Sequence, residues 1–287
     1  MRHILLTFSI FALPFAANAA SLNVLPEDPI QGDPIMITVV PGPASSTASA
    51  PKLKVKSISF DGKPLGLVSY KNIPTAFYGF DINKKPGVSK ISARLSDGSI
   101  IQKQILIGER KKAEVAFTIP AKLGGNTATS ETKLATTLHD ENASLLGLRT
   151  GVKAFWTERF DFPVADPIVT DPYGYIRQTG ATSITHKGTD FRAPEGTPVM
   201  AANRGVVRLV QETRNYGKTI VVDHGLGIMT FYMHLSKISV TEGELVKKGQ
   251  IIALSGQTGY AEHPHLHLTV RIDRVSVDPM VFYSFFR

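Results

Sequence analysis

The 287-residue chain contains no cysteine. That absence excludes disulfides, thiolate zinc fingers, iron–sulfur ligation, a cysteine nucleophile and a lipid anchor on an N-terminal cysteine. Any metal must therefore be held by histidines and carboxylates. Charged residues are sparse, at 20% against 43% apolar, which is too apolar a balance for a wholly disordered chain. Several catalytic signatures are missing as well. No G-x-S-x-G elbow is present, so a serine hydrolase of that type is excluded. His139 is followed by Asp140 and by no second histidine four residues on, so it does not open an H-E-x-x-H site. Gly217-Lys218-Thr219 ends like a phosphate loop, but Glu212 stands where that motif needs a glycine. Beyond the N-terminus no apolar run approaches the roughly 20 residues a membrane helix requires.

What is present begins with Arg2 and His3, an apolar stretch from Ile4 to Ala17, and Ala17-Asn18-Ala19. A basic start, a short apolar core and an A-x-A end predict a secretory signal peptide cleaved after Ala19. The alternative is a retained anchor. The formal charge of +8 suits adsorption of an exported protein to anionic envelope polymers, and equally suits solubility. No nucleic-acid partner and no transmembrane span are expected.

Residues 20–115 read as short strands at regular spacing. Ile35 to Val40, Leu53 to Phe60, Ala76 to Ile82, Val88 to Leu95 and Ile100 to Ile107 carry the pattern, with Asp61-Gly62 and Asp97-Gly98 as turn dipeptides. An Ig-like β-sandwich is predicted, with Pro41 to Pro51 as a loop. It serves as a binding or positioning module or as a spacer. Within residues 116–159, a linker, Leu134, Leu138, Leu145 and Leu148 predict one helix over Thr129 to Leu148, with His139-Asp140-Glu141 on a solvated face. Residues 160–287 are rich in glycine and strands again. There Gly196-Thr197-Pro198-Val199 and Gly243-Glu244-Leu245-Val246 echo each other, as in sandwiches built from duplicated β units.

Eight histidines are present, at 3, 139, 186, 224, 234, 263, 265 and 267. His186 and Asp190 stand four apart in His186-Lys187-Gly188-Thr189-Asp190, where Gly188 and Thr189 disfavour a helix and predict a loop entering a strand. His265-Leu266-His267-Leu268-Thr269-Val270 alternates, so His265 and His267 share one strand face. His234 ends another strand, Met229 to Leu235. A lone buried histidine is ordinarily structural, but clustered imidazoles add nothing to packing. Three such ligands with one open position make the catalytic zinc pattern.

These residues resemble the lysostaphin-type (LytM-type) zinc endopeptidases of bacterial cell walls. The resemblance rests on His186-Lys187-Gly188-Thr189-Asp190, Tyr232-Met233-His234-Leu235, His265-Leu266-His267, the flanking Ala193 to Val199, and Val277-Asp278-Pro279. It covers roughly residues 160–284. It implies a mainly β protein with a C-terminal duplicated-β metallopeptidase domain. It assigns zinc to His186, Asp190 and His267, and it leaves His234 and His265 unligated as catalytic residues. The implied substrate is the stem peptide of peptidoglycan, and the implied location is the periplasm or cell envelope. Two stretches depart from the family pattern, Tyr260-Ala261-Glu262-His263-Pro264 before the histidine pair and Tyr173-Gly174-Tyr175-Ile176-Arg177 before His186. Both bear on substrate preference rather than metal binding. His224 reads as structural and His263 as a loop residue. The alternatives are a non-catalytic or autoinhibited regulator of other wall hydrolases, whose protein partner the sequence does not identify, and a phosphocarrier, which a signal peptide disfavours.

Overall fold

Alternating apolar residues build the first half of the chain in the computed structural model, which describes residues 20–40, 53–180 and 182–287. The expected signal peptide and the Pro41–Pro51 loop lie outside the described residues. Eight strands follow one another: β1 (Ser21–Leu25), β2 (Pro34–Val40), β3 (Val55–Phe60), β4 (Lys63–Pro64), β5 (Val68–Tyr70), β6 (Ile73–Gly79), β7 (Gly87–Leu95) and β8 (Ile100–Ile107). They form two four-stranded sheets, ordered β1-β2-β6-β5 and β4-β3-β7-β8. Ile37, Ile58, Phe60, Phe80 and Ile91 fill the core between them, each contributing about 1.5–3 kcal/mol by burial. At the β3–β4 hairpin both Asp61 (φ 45°) and Gly62 (φ 80°) are left-handed, the geometry an Asp-Gly turn supplies.

The opposite face of the β2–β6 sheet is not solvent-facing. Met36, Tyr70 and Phe77 join Trp156, Phe282 and Phe286 of the second half in one core. The fit is close: a Cβ on Gly79 would lie 2.7 Å from Val277 Cγ1. At the rim of this joint, Arg110 donates to Asp33 at 2.5 Å and pairs with Asp278 at 3.2 Å. The sandwich is thus packed onto its neighbour rather than tethered to it.

Residues 114–156 wrap the second half. Strand β9 (Glu114–Ala116) runs into helix α1 (Ala128–Leu146). Thr127 caps α1 by accepting from Ser130 N at 3.2 Å, and Gly147 ends it. Leu145 of α1 packs on Val221, Met229, Phe231 and Met233, while Leu134 packs with Ile119 and Tyr260. Glu141 departs from the expected solvated face. Its carboxylate accepts from the backbone N–H groups of Asn215 and Tyr216 at 3.0 and 3.2 Å and from Thr213 Oγ1 at 2.9 Å. The helix is therefore pinned to a hairpin of the next domain.

The remaining strands are β10 (Val169–Asp171), β11 (Ile176–Thr179), β12 (Thr182–Thr185), β13 (Thr189–Arg192), β14 (Pro198–Met200), β15 (Gly205–Thr213), β16 (Gly217–Gly225), β17 (Ile228–Leu235), β18 (Lys237–Ile238), β19 (Leu245–Val246), β20 (Ile251–Leu254), β21 (His265–Ile272) and β22 (Val275–Val277), closed by helix α2 (Pro279–Ser284). The main sheet runs β10-β13-β21-β17-β16-β15-β19, with β22 on β21. The two echoed Gly-x-x-Val segments open β14 and β19. Strand β14 pairs with β20 and β15 with β19, so each half of the duplication completes the other. Leu266, Leu268, Val270 and Ile272 of β21 enter the core. The alternate residues His265, His267, Thr269 and Arg271 therefore face the side on which α1 lies.

A candidate metal centre beneath helix α1

Register assembles the centre. Asp190 on β13 stands directly opposite His267 on β21, and His186 enters from the loop between β12 and β13. Glycine makes this approach feasible: a Cβ on Gly188 would collide with the His267 ring. His186 Nε2 lies 3.1 Å from Asp190 Oδ1 and 3.1 Å from His267 Nδ1, and His267 Nδ1 lies 2.7 Å from Asp190 Oδ1. All three residues are buried.

The outer hydrogen bonds decide what these atoms can do. His186 Nδ1 donates to the Pro172 carbonyl at 2.8 Å. His267 Nε2 donates to Thr269 Oγ1 at 3.0 Å, because that hydroxyl itself donates to the Lys187 carbonyl at 3.1 Å. Both inward-facing nitrogens thus carry lone pairs and face a carboxylate oxygen. Three acceptors converge with no proton between them, a set that fits a divalent cation of zinc's ligand preference. Burial lowers His267 to about 4, which keeps its imidazole neutral and free to ligate.

Arg177 anchors the other carboxylate oxygen. It donates to Asp190 Oδ2 at 2.5 Å and stacks on Phe117 at 4.5 Å. The Tyr175 hydroxyl accepts its Nε–H at 2.9 Å and orients it. This is the arginine of the lead-in stretch that the sequence marks as divergent. Its charge role is invisible there, because the contact joins β11 to β13. Thr269 also goes unmarked in the sequence as an orienting group, although strand alternation puts it on the His267 face.

Two further imidazoles border the centre. His265 Nδ1 donates to the His263 carbonyl at 2.8 Å, leaving Nε2 without a partner and 3.7 Å from Asp190 Oδ2. His234 Nδ1 donates to the Thr258 carbonyl at 2.9 Å, so its Nε2 is likewise a free acceptor. The His234 ring centroid is 4.8 Å from that of His265 and 5.9 Å from that of His267. Burial, with His265 and His267 beside it, pushes the His234 imidazole well below its usual value. The other histidines of the described residues stand apart. His224 is fully buried and bonded to the Arg204 carbonyl and Thr230 Oγ1, His263 lies on an exposed loop, and His139 is exposed on α1.

A cavity of about 420 Å³ runs along this face, with His186, His234 and His267 at one part, Tyr260 and Arg177 beside them, and Leu134 and Leu138 of α1 as the opposite wall. The segment expected only to link two domains therefore walls the cleft.

Residues 184–279 match the profile of peptidase family M23. The peptidoglycan DD-endopeptidase ShyB of Vibrio cholerae is 43% identical over 97 residues, covering 34% of this chain and 23% of ShyB. The DD-carboxypeptidase/endopeptidase Mpg of Neisseria meningitidis is 36% identical over 119 residues, covering 41% of this chain and 27% of Mpg. The chain thus matches about a quarter of the length of these relatives. Similarity to a crystal structure from Pseudomonas aeruginosa assigned to the M23 peptidases extends further. It reaches a TM-score of 0.60 at 25% identity and covers 89% of this chain and 95% of that one.

Proposed function

We propose, on the match of residues 184–279 to peptidase family M23, that the chain is an exported zinc metallo-endopeptidase that cuts the peptide cross-links of peptidoglycan. The observation that carries this reading is the convergence of His186 Nε2, Asp190 Oδ1 and His267 Nδ1 as three acceptors without a donor. Beside them, His234 and His265 keep Nε2 atoms that no protein donor uses. His186, Asp190 and His267 would hold zinc. Bound there, zinc supplies Lewis acidity and makes water acidic enough to attack near neutral pH.

The chain's own residues divide the rest of the chemistry. His265 or His234 takes the proton of the attacking water at Nε2. The ring that has taken this proton can return it to the leaving amine, and the other steadies the developing oxyanion only once its own Nε2 has taken up a proton from solvent. Both rings are fixed by their Nδ1–H bonds to backbone carbonyls, so each keeps the same nitrogen facing the substrate. Arg177 keeps Asp190 ionised and aimed. The signal-like residues 1–19 support export to the envelope, where this substrate lies.

Incubation of the mature chain with intact peptidoglycan, with and without a chelator, followed by mass analysis of the released muropeptides, tests the reading. Chelator-sensitive loss of cross-linked dimers is expected, and the masses name the bond. Unaltered dimers with a zinc-loaded chain would overturn it.

A further inference from the structure

Arg271 is a cation of the cleft face whose charge the metal centre does not use. It lies four residues beyond His267 on the same face of β21. Its Nε–H donates to Ser276 Oγ at 3.2 Å, and its guanidinium lies 4.5 Å over the Phe231 ring. Nη1 is buried without a hydrogen-bond partner, and the residue as a whole is only 7% exposed. Among the described residues no carboxylate forms an ion pair with it. Burying a guanidinium this way is costly unless an anion completes it.

The surroundings point to where that anion comes from. The 420 Å³ cavity that holds His186, His234 and His267 is also lined by Arg271. Two adjoining cavities, of about 340 and 250 Å³, share Arg271 as well. Lys187 and Arg274 add positive charge to these walls, against Asp81 and Asp273. Arg271 lies four residue steps along the strand from His267, about 13 Å at roughly 3.3 Å per residue, which is the reach of about four residues of extended peptide.

We propose that Arg271 is a carboxylate-binding, specificity-determining residue, whose free Nη1 takes a carboxylate of the bound peptide about four residues from the scissile bond. The proposal deepens the peptidase reading and rests on it for the identity of the peptide, since stem peptides carry free carboxylates. A guanidinium 4.5 Å over the Phe231 ring, with Nη1 unpartnered, suits a planar carboxylate over its amide.

The test is calorimetric titration of the zinc-loaded full chain with a peptidoglycan stem tetrapeptide and with the same peptide fully amidated. The wild type is expected to prefer the acid at least about tenfold. Arg271→Gln should bring that preference below about twofold, and Arg271→Lys should fall between, because lysine keeps the charge without the planar fork. The pull of zinc on a carboxylate is common to all three chains, so the change in preference isolates Arg271. An Arg271→Gln chain that is folded, by circular dichroism and melting, and keeps the wild-type preference would overturn the proposal. So would a wild type without preference. If Arg271→Gln does not fold, Arg271→Lys decides, and an unchanged preference there is equally fatal. Acid preference without any muropeptide cleavage would retain the Arg271 site while sinking the peptidase reading.

Discussion

His234 and His265 stand with ring centroids 4.8 Å apart, yet only His265 reaches that place by strand alternation. Tyr232 of β17 enters the core, and alternation would send His234 after it. Instead, His234 adopts φ 61°, beside a register shift between Lys218 and Ile220 of the partner strand. The left-handed residue turns the ring onto the face that carries His265 and His267. Such a conformation costs a non-glycine residue about 1–2 kcal/mol, and the Thr258 carbonyl that receives Nδ1–H holds it there.

From this geometry the two pairs of histidines should separate experimentally. His234→Ala and His265→Ala are expected to keep zinc while losing about 10²–10⁴-fold in turnover, the usual worth of positioned acid–base groups. His186→Ala and His267→Ala should lose the metal itself. Metal content by atomic emission, measured beside cleavage rate, checks both halves. Zinc lost from the His234 and His265 variants would place them in the ligand shell.

Arg177 should tune the centre without touching the metal. Replacing it with Gln leaves Asp190 Oδ2 without its charged donor at 2.5 Å and frees the carboxylate to rotate. A loss of about 10–100-fold in zinc affinity is expected, as for other orienting groups behind metal ligands. Competition with a chromogenic chelator measures it, and an unchanged affinity would show that packing alone aims Asp190.

How much of this is legible in the chain depends on the range of the interaction. Period-two alternation at His265 and His267, the Asp-Gly turns and the leucine spacing of α1 are local, and the structure realises them nearly residue for residue. The duplication is visible as an echo, but its cross-pairing of β14 with β20 is not. Glu141 reads as solvated because its partners, Asn215 and Tyr216, lie more than 70 residues away. The turn of His234 is hidden for a different reason: a left-handed histidine within a strand breaks the very periodicity from which its facing would be read. Arg271 shares the face of His267 by the same alternation that exposes the histidine pair, but its missing counter-ion is a property of the assembled cavity.

Glu141 offers a direct measure of how firmly α1 is held. Glu141→Ala removes the acceptor for two backbone N–H groups and the Thr213 hydroxyl, and Asn215 is nearly wholly buried. A loss of about 1–3 kcal/mol is expected from leaving buried donors unmet. Urea unfolding followed by circular dichroism reads it. A variant as stable as the wild type would show that water replaces the carboxylate and that apolar packing of Leu134 and Leu145 suffices.

The joint between the two halves should carry its own pH dependence. Burial raises the Asp33 carboxyl to about 6, with Arg110 opposing and Asp278 reinforcing the rise. The folded chain therefore holds this proton more tightly than the unfolded chain, whose carboxyl titrates at the usual 3.8. The stabilisation from proton uptake is fully present below about pH 4 and is lost as pH climbs through about 6, because the unfolded state ionises first. The difference between the two titration points corresponds to a swing of about 3 kcal/mol. Asp33→Asn abolishes the titration. The stability difference between wild type and variant, from urea unfolding at about pH 4 to pH 7, should therefore move against the wild type as pH rises and level off above about pH 6. A flat difference would mean that Arg110, shared between Asp33 and Asp278, offsets burial completely. The joint would then be a fixed ion cluster rather than a titrating one.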